Sequence, residues 1–144
     1  MEVSLTSTLK NKKLLPKSFL KLPFQKIKDE ILGKNYELSI VLVGGKKIKS
    51  LNKKYRKKDV RTDVLSFEID KNMGEIFICP EIAKIKSANF EPPLQSFVEP
   101  KKKFPEYLLF LVIHANLHLK GMQHSSKMER YELAYYSRYR RRYL

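Results

Sequence analysis

A chain of 144 residues has the length of one domain, here expected to span 1–144, and leaves no room for a second catalytic domain. Apolar residues make up 42% of it and 30 Lys plus Arg outnumber 15 Asp plus Glu, a net charge of +15. That excludes a disordered basic tail and describes a globular domain whose surface attracts polyanions, whether RNA, DNA or anionic lipid.

One cysteine, Cys79, excludes an internal disulfide, and its placement in EIFIC suits a small buried hydrophobe better than a metal ligand. The segment 1–16 is polar and basic, unlike a secretory signal, and the longest apolar run, 107–113, is far short of the about 20 residues that span a bilayer. A cytoplasmic protein is expected.

In chain order, 17–33 carries apolar residues at helical spacing, with Pro23 as a kink or boundary and Gly33 as the stop. Residues 36–43 (YELSIVLV) alternate as a strand does. Residues 46–56 place Ile48, Leu51, Asn52 and Tyr55 on one helical face. VLSFEI at 64–69 and EIFIC at 75–79 form two strands joined through a turn at 70–74.

Pro80 and Glu81 open a short helix to Asn89, and 90–104, with Pro92, Pro93 and Pro100, is an irregular loop. A helix from Pro105 to Leu119 is apolar nearly all round, which marks it as central. Ser125 or Ser126 caps a last helix whose inward stripe runs Met128, Tyr131, Tyr135 and Tyr139. The class is α+β: a small mixed sheet packed with about five helices.

The three histidines all fall in His114-Ala115-Asn116-Leu117-His118-Leu119-Lys120-Gly121-Met122-Gln123-His124. Four residues apart on a helix, His114 and His118 project from one face. Gly121 permits the left-handed backbone that ends the helix, so the chain turns back and presents His124. Three neutral nitrogens leave a tetrahedral zinc one open position, the catalytic pattern, and zinc lowers the pKa of a bound water from about 15.7 to about 7. Ordinary core or helix-end histidines are the alternative, but buried ring nitrogens without partners cost about 1–3 kcal/mol each. The spacing is also that of the metzincin proteases, whose second motif residue is a glutamate; Ala115 stands there instead, which argues against peptide hydrolysis by that mechanism.

HANLHLKGMQH resembles the metal motif of the YbeY family, His-Gly-x-Leu-His-Leu-x-Gly-Tyr-Asp-His, and 52–67 (NKKYRKKDVRTDVLSF), followed by Gly74-Glu75-Ile76, resembles that family's other signature. The resemblance implies a single-strand-specific, zinc-dependent endoribonuclease of ribosomal RNA maturation, the 16S rRNA in particular, and of ribosome assembly. It implies His114, His118 and His124 as ligands to one zinc per chain and Arg56 as the functional arginine. The implied partners are rRNA and the small ribosomal subunit, with no membrane and no nucleotide cofactor. An RNA-binding assembly factor without catalysis, or a metal hydrolase of another substrate, are the alternatives.

Arg56 suits the role, because a guanidinium holds a phosphate bidentately and stabilises developing charge. Asp63 and Ser66 are lesser candidates that cap or orient. Three departures stand out: Ala115 for Gly, Arg61 for Pro, and Met122-Gln123 for Tyr-Asp, which removes a carboxylate beside the third ligand and predicts a weaker hold on the metal. Beyond the metal, Lys101, Lys102 and Lys103 precede the central helix, and Arg138, Arg140, Arg141 and Arg142 interleave with tyrosines in a C-terminal segment that holds five of the eight tyrosines. These basic residues are expected to contact RNA.

Overall fold

The computed structural model describes residues 2–91 and 98–144. Among them are four strands, β1 (Val3–Ser7), β2 (Glu37–Leu42), β3 (Val64–Asp70) and β4 (Met73–Ile78), and five α-helices. The helices are α1 (Phe24–Ile31), α2 (Gly45–Arg56), α3 (Pro80–Ser87), α4 (Lys103–Leu119) and α5 (Ser126–Tyr143). The sheet has the order β1-β2-β4-β3; β1 and β4 flank β2 in parallel, and β3 pairs with β4 as an antiparallel hairpin. It is the small mixed sheet with five helices that the patterning predicts.

Alternation along the strands sorts side chains to two faces. Leu38, Ile40, Leu42, Ile76 and Ile78 enter the larger core with residues of α1, α3, α4 and α5, whereas Val43 and Cys79 enter a smaller core with Ile48 of α2. Full burial of each such aliphatic side chain stabilises the fold by about 1.5–3 kcal/mol. Helix α4 contacts β3 and also α1, α3 and α5, which is why apolar residues surround its whole circumference.

Several boundaries differ from those read in the sequence. Pro23 is a boundary: a 3-10 turn at Lys17–Lys21 precedes it and α1 begins only at Phe24, since proline disfavours helical backbone in the residue before it. β1 lies in the segment read as a polar terminus; its five residues are too few for periodicity to register, and pairing with β2 defines it. The predicted loop 90–104 contains a 3-10 turn at Pro100–Lys102 and the first two residues of α4, while Pro92 and Pro93 lie outside the described residues.

In the predicted hairpin turn, Gly74 is a strand residue inside β4, and only Lys71 and Asn72 separate the strands. A Cβ on Gly74 would collide with the Tyr36 hydroxyl and approach the Leu119 methyls, so this glycine serves a close approach of side chains to backbone. The inward face of α5 is also rotated from the predicted stripe: Met128, Glu132, Tyr136 and Tyr139 are buried, and Tyr131 is exposed.

Tyr136 donates to the buried Glu106 of α4, which also pairs with Arg140. Tyr139 and Arg138 both meet Glu30 of α1. Polar contacts to α4 and α1 thus hold α5 in its position over the site.

Candidate metal centre and cleft

The last turn of α4 sets the first two histidines. Gly121 adopts φ of +101°, its N–H meets the His118 carbonyl at 2.9 Å, and the Met122 N–H reaches back to the Leu117 carbonyl at 3.1 Å. This paired capping pattern satisfies the helix-end carbonyls and reverses the chain, and so His124 returns beside its two partners, as predicted.

The ring centroids of the three histidines lie 4.4, 4.6 and 5.2 Å apart, and one ligating atom from each falls within 4.8 Å of the others. His118 Nδ1–H donates to the Met122 carbonyl at 2.9 Å. His114 Nδ1–H donates to Glu132 Oε1 of α5 at 3.1 Å. With Nδ1 so engaged, each ring in its neutral form presents the Nε2 lone pair, and these Nε2 atoms face each other at 3.0 Å.

Two lone pairs at that separation repel unless a cation or a proton lies between them. Ligands about 2 Å from one tetrahedral ion stand roughly 3.3 Å apart, so the arrangement suits a metal. Burial, and next the neighbouring His114, push the His118 pKa down, against the Met122 carbonyl that raises it. The imidazole is thereby kept neutral, as a ligand must be.

The histidines open into a cleft of about 1040 Å³ whose far wall is the end of α2, the loop after it and the edge strand β3. Arg56 lines it, exposed, with Nη2 donating to the Ser66 carbonyl at 2.6 Å and the guanidinium 5.0 Å from the Phe67 ring centre. Buried Asn52 holds the intervening loop by donating to the Val60 carbonyl at 3.1 Å. Asp63 is buried as well: it accepts from Tyr107 of α4 at 2.5 Å and pairs with Lys86 at 3.6 Å.

Asp63 thus ties the start of β3 to α4. Arg61 pairs with Glu81 at 3.3 Å over Gly45, and Lys58 and Lys86 add positive charge to the cleft.

The remaining predicted site residues stand elsewhere. Lys101 and Lys102 lie in the 3-10 turn before α4 and Lys103 opens α4, about 16 Å along the helix from His114; Lys103 donates to the Ala88 carbonyl at 3.2 Å. Arg138 and Arg140 are engaged with Glu30 and Glu106, whereas Arg141 and Arg142 are exposed. Sequence reasoning missed Lys86 and Glu132, which α3 and α5 deliver from outside both motifs.

A family model described as Endoribonuclease YbeY matches residues 6–139. The Endoribonuclease YbeY of Rubrobacter xylanophilus is 39% identical over 102 residues, which cover 68% of this chain and 60% of that protein. That of Phytoplasma australiense is 35% identical over 107 residues, 68% of this chain and 67% of that protein. This chain therefore spans about 60–67% of the length of these relatives. The solution structure of a Thermotoga maritima protein superposes with a TM-score of 0.61 at 29% identity, covering 94% of this chain and 87% of that one.

Proposed function

The chain belongs to the Endoribonuclease YbeY family, and on that premise we propose that it is a metal-dependent endoribonuclease that cuts single-stranded RNA with one zinc ion per chain. Its role is the maturation of ribosomal RNA, that of the small subunit in particular, during ribosome assembly in the cytoplasm. Among the described residues no helix is long and apolar enough to cross a membrane. The observation that carries the proposal is the convergence of three histidines in the cleft that Arg56 shares.

The donor set suits zinc, since imidazole nitrogens are good ligands for it and no carboxylate of the cluster competes for a harder ion. When bound, such an ion supplies Lewis-acid polarisation of a phosphoryl oxygen and acidifies water at neutral pH. The chain's own residues do the rest. His114, His118 and His124 hold the ion with neutral nitrogens, which leaves its charge available to a polyanion.

The contact of Arg56 with Ser66 uses one of five guanidinium N–H donors, and the others hold a phosphate and stabilise charge that grows on it. Lys58 and Lys86 draw the RNA backbone into the cleft, with Lys101, Lys102, Lys103, Arg141 and Arg142 adding long-range attraction.

The test uses the purified chain, loaded with zinc, on a labelled single-stranded RNA and on its duplex. Cleavage of the single strand that is lost with chelation and in His114→Ala supports the proposal. Absence of metal-dependent cleavage, together with a His114→Ala chain that restores ribosome maturation in cells, overturns it in favour of an assembly factor without catalysis.

A further inference from the structure

We propose that Glu132 is a positioning residue for the metal centre, and that through His114 it supplies the carboxylate that the sequence lacks beside His124. The inference rests on the metal reading of the three histidines. The two rings on α4 have different partners. His118 is oriented by an uncharged backbone carbonyl, that of Met122, at 2.9 Å. His114 is oriented by a carboxylate, Glu132 Oε1, at 3.1 Å.

Glu132 is 7% exposed and comes from a different helix, about two turns beyond the capped start of α5. A carboxylate is costly to bury away from water unless charge or hydrogen bonds compensate it. Its partner is His114, whose side chain is itself 19% exposed. Glutamate at this position therefore has a reason that packing alone does not supply.

A carboxylate that accepts from Nδ1 does three things for the ligand. It fixes the tautomer, so that Nε2 carries the lone pair; it restrains ring rotation; and it makes the ring a stronger donor to a cation. Its charge also compensates part of the positive charge that three neutral ligands leave on the ion. Gln123, which follows the turn at an exposed position, is uncharged and has no such effect. The loss of a carboxylate at 123 is thus offset from α5, and the weaker metal affinity that Gln123 alone predicts is not expected.

The experiment measures zinc dissociation constants by competition with a chromogenic chelator for the unaltered chain, Glu132→Gln, Glu132→Ala and His114→Ala. Visible d–d spectra of the cobalt(II)-loaded proteins and the thermal midpoints of the metal-free forms are recorded alongside. Glu132→Gln keeps the side-chain size and still offers an oxygen to Nδ1. It is expected to weaken zinc binding about tenfold, and Glu132→Ala up to about 100-fold, with an altered cobalt spectrum and an unchanged metal-free midpoint for Glu132→Gln.

Affinity and spectrum of Glu132→Gln equal to those of the unaltered chain, while His114→Ala loses metal, overturn the role of Glu132 and leave the metal reading standing. If the unaltered chain itself takes up no zinc or cobalt, both fall together. A lowered metal-free midpoint with unchanged affinity assigns Glu132 to the packing of α5 and also overturns the proposal.

Discussion

Arg56 Nη2 donates to the Ser66 carbonyl at 2.6 Å, and its guanidinium lies 5.0 Å from the centre of the Phe67 ring. The charge is therefore held against the β3 wall of the cleft, at a cost in side-chain freedom already met before any substrate arrives. A lysine cannot reproduce this, because its ammonium lacks the planar fork that donates to Ser66 while still offering donors to a phosphate. Arg56→Lys and Arg56→Ala are both expected to cut RNA cleavage by about 100-fold or more, as loss of a transition-state donor does. Zinc content should be unchanged. A lysine variant with near-normal cleavage would show that only the charge matters.

Metal removal should register as a loss of stability. Zinc at a hundred times its dissociation constant stabilises the folded state by about 2.7 kcal/mol, which for a chain of this length corresponds to roughly 5–10 °C. The melting midpoint should fall by that amount on chelation and return on adding zinc. His118→Ala should show neither change. Equal midpoints with and without zinc for the unaltered chain would contradict a zinc centre at His114, His118 and His124.

How far the sequence foretold the fold depended on whether the signal was local. The fourfold spacing of His114 and His118 and the glycine at 121 are local, and the structure places all three histidines as those features predict. The all-round apolarity of α4 is likewise a property of one segment. β1 and Glu132 are different. The first is a five-residue edge strand defined by its parallel partner, and the second sits 18 residues from the histidine it serves. The tyrosine stripe was misread because Tyr136 adjoins Tyr135, and only the docking of α5 against Glu106 and Glu30 decides which of them turns inward.

Gly74 gives a prediction with a built-in control. Adding a methyl here presses on the Tyr36 hydroxyl and on the Leu119 methyls, the latter at 3.0 and 3.1 Å, and overpacking of this kind costs about 1–3 kcal/mol. The Tyr36 hydroxyl is buried without a hydrogen-bond partner among the described residues, so Tyr36→Phe alone should cost little. The pair Gly74→Ala and Tyr36→Phe should recover part of the loss of Gly74→Ala alone, measured as a coupling in urea unfolding. Strict additivity of the two changes would mean that the clash lies elsewhere.

Lys57 ends α2 with φ of 58° and ψ of 31°, in the left-handed region. A side chain there costs about 1–2 kcal/mol, whereas glycine adopts the conformation freely but loses more entropy on folding. Lys57→Gly is accordingly expected to raise stability by a net amount of about 0.5–1 kcal/mol, seen as a higher urea midpoint with an unchanged slope. A destabilised variant would show that the Lys57 side chain makes a contact worth more than the strain.

Three tyrosines make the fold sensitive to alkali. Burial first, and then hydrogen bonds to Asp63, Glu106 and Glu30, push Tyr107, Tyr136 and Tyr139 well above the ordinary tyrosine value of 10. Each is protonated in the folded state at a pH where the unfolded chain has already lost that proton. Their contribution is therefore complete below pH of about 10 and falls as pH rises above it, by about 1.4 kcal/mol per pH unit for each fully buried tyrosine. Tyr136 and Tyr139 are 1% and 0% exposed, so both belong in that class. Urea unfolding between pH of about 9 and 11.5 should show this decline, and Tyr136→Phe should flatten it by about one proton's worth. Parallel declines in the two proteins would show that Tyr136 ionises as readily folded as unfolded, despite its burial and its contact with Glu106.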